Sequence, residues 1–262
     1  MKYKYRKPHQ YKRKRSIFKS RYFWFSVLLL LIVFGAFYIF CFVPYFQVSK
    51  IEISGNQKVS TQEIRELIES RIGRKILFLN SKSIFLADLN SISSELSKKF
   101  IQISKIDSQK TFPGSVSFSI SERIPLAVFF QEEKSFFLDK EGIIFEQTLL
   151  GDDNLPKIID LKNNNSLGEK VIEPKDLSAV SDLYSRMNSD FKIPVKHFEI
   201  EAADKLVMKM REGWEAYFNL GGDLEWQITK LRAVLEEKIP PEKRKNLDYI
   251  ELRFGNFAPF KY

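Results

Sequence analysis

The chain has 262 residues, of which 42 are basic and 33 acidic, and its formal net charge is +9. Ten of the bases and none of the acids lie in residues 1–22, so the rest is close to neutral, with 32 bases against 33 acids. This distribution argues against a nucleic-acid-binding domain, which would carry its excess of bases on a folded surface. The single cysteine, Cys41, excludes an intrachain disulfide and a multi-cysteine zinc site.

A run of 21 residues without a charge, 23–43, follows the basic tail, and fifteen of them are Phe, Leu, Ile or Val. A helix of this length spans about 30 Å, the thickness of a hydrocarbon core. Pro44 predicts the end of the helix. A cleaved signal peptide would have a shorter apolar region, of roughly 7–15 residues, and a small-residue cleavage site. We therefore predict a retained transmembrane helix over 23–43.

The charge of the tail predicts the orientation of this helix. Basic residues beside a membrane span stay in the cytoplasm, where they also contact anionic lipid. We predict a single-pass protein of type II in the cytoplasmic (inner) membrane, with residues 1–22 in the cytoplasm and the following domains outside.

Residues 45–124 are predicted to form a first outside domain with the element order β-α-α-β-β. A short strand ends at the turn signal of Gly55 and Asn56, and the capping box at 60–63 predicts the start of a helix. The turn at 111–114 precedes a strand in which apolar residues alternate with serines, which predicts one buried face. The second helix is expected to carry a set of apolar residues on one face: Phe85, Leu89, Ile92 and Leu96.

Residues 125–262 are predicted to form a second, mostly antiparallel β domain with flanking helices. Asp139 to Gly142 reads as a hairpin turn, and Pro174 as the first turn of a helix. A second helix is expected at 226–237. The last predicted strand, 247–254, is expected to direct Ile250, Leu252 and Phe254 to one face and Tyr249, Glu251 and Arg253 to the other. Both domains together make the fold class α+β.

The sequence has no phosphate-binding loop, dinucleotide fingerprint, nucleophile elbow or zinc-protease motif. Beyond the tail it has one histidine, His197, in a strand-like run, where a histidine is more often a packing or surface residue. We predict no catalytic residue, metal, cofactor or small-molecule substrate. The alternative, a membrane-anchored cell-wall hydrolase or other surface enzyme, would need His197 and a serine.

Several stretches resemble the FtsQ/DivIB family of bacterial cell-division proteins. Residues 51–56 are similar to the start of that family's POTRA domain, and residues 112–125, with the Glu122-Arg123-x-Pro125 element, to its close. The run 247–254 resembles the family's closing strand, with Glu251 in place of the usual Asp and Phe254 in place of the usual Tyr. The order of tail, anchor, POTRA domain and β domain is also that of the family.

The resemblance implies a non-enzymatic scaffold that recruits and links division proteins at the septum. In the family, the C-terminal region binds small single-span coiled-coil proteins, FtsB and FtsL, and the POTRA domain is expected to meet further division proteins. A free sheet edge accepts a partner strand, and the strand 247–254 is the expected edge. The implied interface residues are Tyr249, Glu251, Arg253 and Phe254, although Phe254 in the core and a solvated Arg253 remain an open alternative.

Overall fold

A computed structural model of the chain describes residues 20–76, 79–149, 154–159, 165–202 and 205–262. The basic tail predicted over 1–22 lies outside the described residues except for its last three. The chain divides into two compact units. The first comprises Met1–Ser54, Gln62–Ser93 and Asp107–Phe118, and the second comprises Gly55–Thr61, Ser94–Ile106 and Ser119–Tyr262.

The helices of the described residues are α1 (Arg21–Phe42), α2 (Thr61–Ile72), α3 (Leu89–Lys99), α4 (Pro174–Ser189) and α5 (Leu224–Glu237). The strands of the first half are β1 (Lys50–Ser54), β2 (Arg74–Ile76), β3 (Leu79–Ser81), β4 (Ile103–Thr111), β5 (Ser115–Glu122), β6 (Ala127–Gln131) and β7 (Lys134–Leu138). The later strands are β8 (Ile144–Thr148), β9 (Lys157–Ile159), β10 (Val195–Ala202), β11 (Lys205–Met210), β12 (Glu215–Phe218), β13 (Tyr249–Glu251) and β14 (Phe260–Lys261).

Helix α1 is long and apolar enough to cross a membrane. It begins at Arg21 and ends at Phe42, so it starts two residues before the predicted span and stops one residue short of it. The helix ends there because Val43 precedes Pro44, which disfavours helical geometry at the residue before it. Val43 accordingly has the extended conformation, with ψ at 130°.

The structure of the first unit differs from the sequence prediction in two places. A short hairpin, β2 with β3, follows α2 and was not predicted. Phe85 does not belong to the second helix, because α3 begins only at Leu89, where the Asp88 carboxylate accepts a hydrogen bond from the amide of Ser91. Phe85 instead lies in the turn before the helix and is partly exposed.

The alternation predicted for the strand after residue 114 is confirmed. In β5, Val116, Phe118 and Ile120 are buried, while the intervening serines are not. The strand is the middle one of a three-stranded sheet with the order β1-β5-β4. Gly55, at the end of β1, has a φ of 87°, which a residue with a Cβ adopts only with strain.

The second unit contains a nine-stranded sheet with the order β14-β13-β12-β11-β10-β9-β6-β7-β8. Its pairs are mostly antiparallel, but β9 runs parallel to both β6 and β10, and β12 runs parallel to β13. The buried face packs in one core with α4 and α5, around Phe198, Trp214 and Phe218. The α+β fold class, with a mixed and mostly antiparallel sheet and flanking helices, is confirmed.

Candidate functional site

The C-terminal edge of the nine-stranded sheet is built from β12, β13 and β14. β13 pairs with β12 on one side and with β14 on the other, where Tyr249 lies opposite Lys261 and Ile250 opposite Phe260. The prediction of one strand over 247–254 that forms the free edge is therefore wrong. The regular strand ends at Glu251, and the chain turns back to cover β13 with β14. The short strand β14 is the edge.

The predicted interface residues occupy different environments. Tyr249 is half-buried, and its ring stacks on that of Tyr217 with 5.3 Å between centroids. Phe254 is 63% exposed, because the chain has already turned away from the sheet, so it does not share the buried face of Ile250 and Leu252. The expectation that these three apolar residues point the same way is wrong for Phe254, and so is the alternative that placed Phe254 in the core.

Glu251 and Arg253 form a bidentate ion pair. The guanidinium donates from Nε to Glu251 Oε1 at 2.9 Å and from Nη2 to Oε2 at 2.8 Å, and the Arg253 amide donates to the same carboxylate. Burial opposes ionisation of Glu251, but these hydrogen bonds and the charge of Arg253 outweigh it and lower its pKa. The Arg253 guanidinium also lies over the Phe254 ring, 4.8 Å from its centroid.

The same face of the sheet carries a cross-strand row of polar side chains. Successive strand pairings bring the row together: His197 beside Lys209, Lys209 beside Glu215, and Glu215 beside Tyr249. The ammonium of Lys209 lies 3.4 Å from Glu215 and 3.1 Å from Glu199, and these carboxylates raise the pKa of Lys209. The sequence did not reveal this row, since its members come from four strands and their alignment depends on how these strands pair.

His197 belongs to this row and not to a catalytic triad. Its Nε2 lies 3.0 Å from Glu199 Oε1, and in the part of the chain that the structure describes no serine hydroxyl bonds to its ring. Burial lowers the pKa of His197, although the Glu199 carboxylate works in the opposite direction. The described residues also hold no cluster of three His, Cys, Asp or Glu side chains that could bind a metal.

Lys230 of α5 organises the turn that follows β13. Its side chain is buried, and its ammonium donates to the carbonyls of Leu252 at 2.7 Å, Gly255 at 3.1 Å and Phe254 at 3.2 Å. The carbonyl of Phe257 lies at 3.4 Å. Burial lowers the pKa of Lys230, while the charge of Glu251 raises it. One buried cation thus holds the backbone of residues 252–257, and no sequence signal set this lysine apart from others on helices.

Aromatic side chains in the turn held by Lys230 and in the segment that follows it are exposed to solvent. Phe257 is 81% exposed, and Phe260 and Tyr262 are partly exposed with their rings 5.6 Å apart. We call Phe254, Phe257, Phe260 and Tyr262 the C-terminal aromatic surface. Exposed aromatic rings beside a sheet edge are typical of protein interfaces.

The Glu122-Arg123 element fixes the end of β5. The Glu122 carboxylate accepts hydrogen bonds from the amides of Gln57, Lys58 and Val59 at 2.9–3.0 Å. Burial opposes ionisation of Glu122, but these amides outweigh it and lower its pKa. The element thus closes the loop after β1 with backbone hydrogen bonds to a charge, which are among the stronger ones.

Arg123 connects two further segments. Its Nε donates to the carbonyl of Ile101 at 2.9 Å, and its Nη1 binds the Asp139 carboxylate. Asp139 is buried and also accepts from the amides of Glu141 and Ile143 at 3.0 Å, which shapes the hairpin turn at Gly142. The Glu122-Arg123-x-Pro125 element, which carried part of the family resemblance, is therefore bonded to the hairpin turn at 139–142.

Comparison with known proteins finds similarity to bacterial cell-division proteins. Residues 46–123 match the family profile described as a POTRA domain of the FtsQ type. The cell division protein DivIB of Clostridium tetani is 23% identical over 250 residues, which cover 90% of this chain and 86% of that protein. The solved major extracytoplasmic domain of DivIB from Geobacillus stearothermophilus, in its trans isomer, matches at 15% identity, over 46% of this chain and 99% of that one, with a TM-score of 0.25. The chain thus contains a POTRA domain of the FtsQ type and is similar along most of its length to a DivIB cell division protein.

Proposed function

We propose that the chain is a non-enzymatic, membrane-anchored scaffold of the bacterial division machinery, which recruits and links other division proteins at the septum. Its FtsQ-type POTRA domain and its similarity to a cell division protein support the role in division. The apolar helix α1 supports membrane anchoring, and the basic tail supports an orientation with the folded domains outside the cytoplasm. A scaffold of this kind raises the effective concentration of its partners in one membrane plane.

The observation that carries the proposal is the C-terminal edge. The carbonyls of Pro259 and Lys261 accept hydrogen bonds from Glu251 and Asp248 of the neighbouring strand. Because hydrogen-bonded positions alternate along an antiparallel strand, Phe260 directs its backbone groups to the open side. An extended partner segment can add there as a further strand, while the C-terminal aromatic surface supplies apolar contacts.

The partners we propose are FtsB-like and FtsL-like single-span coiled-coil proteins, and further division proteins for the POTRA domain. Tyr249, Glu251, Arg253 and Phe254 stay the proposed interface residues, with different roles. Phe254 is exposed and contacts the partner directly, whereas the half-buried pair of Glu251 and Arg253 positions it through the stacked guanidinium.

Co-purification from membranes tests this proposal. The full chain carrying Phe254→Ser and Phe257→Ser should lose most of its FtsB-like and FtsL-like partners at unchanged expression, because both rings are exposed. Phe260→Pro should lose more partner than Phe260→Ala, since only proline removes the outward amide. Undiminished capture by the double variant, or equal capture by the two Phe260 variants, would show that the partners bind elsewhere.

The substitution His197→Ala distinguishes the scaffold from the alternative, a cell-wall hydrolase. His197→Ala should leave complementation of a deletion strain intact if the chain is a scaffold. Loss of wall-cleaving activity in that variant, with the fold retained, would instead support the enzyme.

A further inference from the structure

The C-terminal end of α1 is bonded directly to later segments of the first unit. The Ser83 hydroxyl donates to the carbonyl of Phe40 at 2.7 Å, and the Gln47 side chain donates to that of Cys41 at 2.8 Å, with Ser81 as a second donor to the same carbonyl. The last carbonyls of a helix have no partner inside it. Here Gln47 and the segment 81–83 supply partners, so the helix end is held against the residues that follow it.

Backbone hydrogen bonds strengthen this junction. The amide of Val48 donates to the carbonyl of Lys82 at 2.9 Å, and the amide of Ile84 to that of Phe46 at 2.9 Å. Gln47 and Ser83 thereby form an antiparallel bridge. The junction fixes the segment around residue 83 at the level where the helix ends.

A chain of aromatic rings continues from the helix onto the unit. The rings of Phe40 and Phe85 lie 5.2 Å apart, and those of Phe85 and Phe112 again 5.2 Å apart. Phe46 packs against both Phe40 and Phe85, and Tyr45 packs against Phe46. The rings thus extend the apolar surface of α1, the helix that is long and apolar enough to cross a membrane.

Three side chains of this surface are at least partly exposed: Tyr45, Phe85 and Phe112. We call them the interfacial patch. The segments that carry them, 43–52, 79–88 and 107–118, contain three lysines and three acids, and Lys50 is paired with Glu52 at 2.6 Å. Exposed aromatic rings next to the end of a membrane span are what the headgroup region of a membrane favours.

We propose that the interfacial patch enters the headgroup layer of the membrane face on which the domains lie, so that the first unit is seated on lipid by its own side chains. The proposal goes beyond the scaffold function and requires only that α1 spans the membrane. The helix of 22 residues is about 33 Å long, so Phe42 reaches the boundary of the hydrocarbon core. The patch is fixed to that point by the hydrogen bonds of the junction.

A depth measurement on the purified full chain tests this. In a Cys41→Ser background, Thr111→Cys carries an environment-sensitive NBD fluorophore next to the intact Phe112, in nanodiscs of phosphatidylcholine and phosphatidylglycerol with or without nitroxide-labelled lipid. Asp107→Cys is the matched position on the same strand, about 13 Å away along β4. A third label, Phe37→Cys, reports insertion of the helix.

We expect a blue-shifted emission and strong quenching by lipid at position 111, as at position 37, and water-like emission at position 107. Phe112→Ser with Tyr45→Ser should abolish the quenching at position 111, and Ile124→Ser, which removes an exposed apolar side chain outside the patch, should leave it unchanged. Water-like emission at position 111 with a quenched label at position 37 would overturn the proposal. A label at position 37 that is not quenched would overturn both the proposal and the membrane span.

Discussion

The anchor end and the C-terminal end of this protein face the same physical problem and solve it differently. At both ends, the backbone carbonyls at or just after the end of a regular element have no hydrogen-bond donor within that element. At the end of α1 the donors are several neutral side chains, Ser81, Ser83 and Gln47. At the turn after β13 the donor is a single charged one, Lys230. Shared neutral donors make an end tolerant of single changes, whereas one buried charge concentrates the stability of a turn in one residue.

The largest effect is expected for Lys230→Met. The substitution keeps the buried stem but removes the ammonium, and it leaves the carbonyls of the turn 252–257 with fewer donors. We expect a loss of about 3 kcal/mol in the free energy of unfolding of the full chain in detergent. Denaturant titration gives the value, and faster amide exchange over residues 252–259 locates it.

Lys238→Met is the matched control for that experiment, since Lys238 is exposed at the end of the same helix. Its loss is expected to stay within about 0.5 kcal/mol. Equal losses in the two variants would contradict the role given to Lys230.

Glu251→Gln tests the pH dependence of the C-terminal end, with a smaller effect. The folded-state pKa of Glu251 lies below its ordinary value of 4.5. Its contribution is therefore fully present above pH 4.5 and is lost as the pH falls through the lowered pKa. We expect the variant to be less stable by roughly 1–2 kcal/mol at neutral pH, and the difference to shrink on acidification in parallel denaturant titrations. A difference that grows in acid would contradict this sign.

At the anchor end, Ser81→Ala and Ser83→Ala should each lower the free energy of unfolding by about 1 kcal/mol. Cys41, the one cysteine of the chain, is 3% exposed, so its thiol reports opening of the junction. Each variant should speed modification of Cys41 by a water-soluble maleimide about fivefold. Ser104→Ala, which removes a similar hydroxyl-to-carbonyl bond to Ser121, is the control and should leave the rate unchanged.

The smallest effect concerns the polar row of the sheet. Lys209 is partly exposed between Glu199 and Glu215, and ion pairs of this kind contribute less than about 1 kcal/mol. Lys209→Met should lower the free energy of unfolding by less than about 1 kcal/mol in dilute buffer. The loss should be smaller at high salt, where screening has already weakened the ion pairs. The loss of stability caused by Ser83→Ala should not depend on salt, because its hydrogen bond is neutral. A salt-dependent loss in that variant would contradict the description of the anchor end as held by neutral donors.

Local sequence patterns predicted most elements correctly. The alternation in β5 and the proline at the first turn of α4 each report one element's own burial or geometry, and the structure agrees with both. The β2 and β3 hairpin was missed because Arg74, Lys75 and Asn80 give no apolar alternation to read. Phe85 matched a helical spacing by chance, although the Asp88 cap begins the helix after it.

The candidate site was less predictable because its geometry depends on residues that are distant in sequence. The identity of the edge depends on two residues of β14 that fold back on β13. The exposure of Phe254 depends on Lys230, which lies 24 positions earlier in the chain. The alternation of apolar and polar residues runs on to residue 254, so it predicted a strand over 247–254. The strand ends earlier because Lys230 binds the backbone carbonyls of the turn that begins at Leu252.

The most direct test of the scaffold account is site-specific photocrosslinking in dividing cells. A photoreactive amino acid replaces Phe254 or Phe257 in the full chain, with Ile124 as an exposed control position. The account predicts adducts with FtsB-like or FtsL-like single-span proteins from positions 254 and 257, and none from position 124. Chains that support division but give no such adduct from either aromatic position would contradict it.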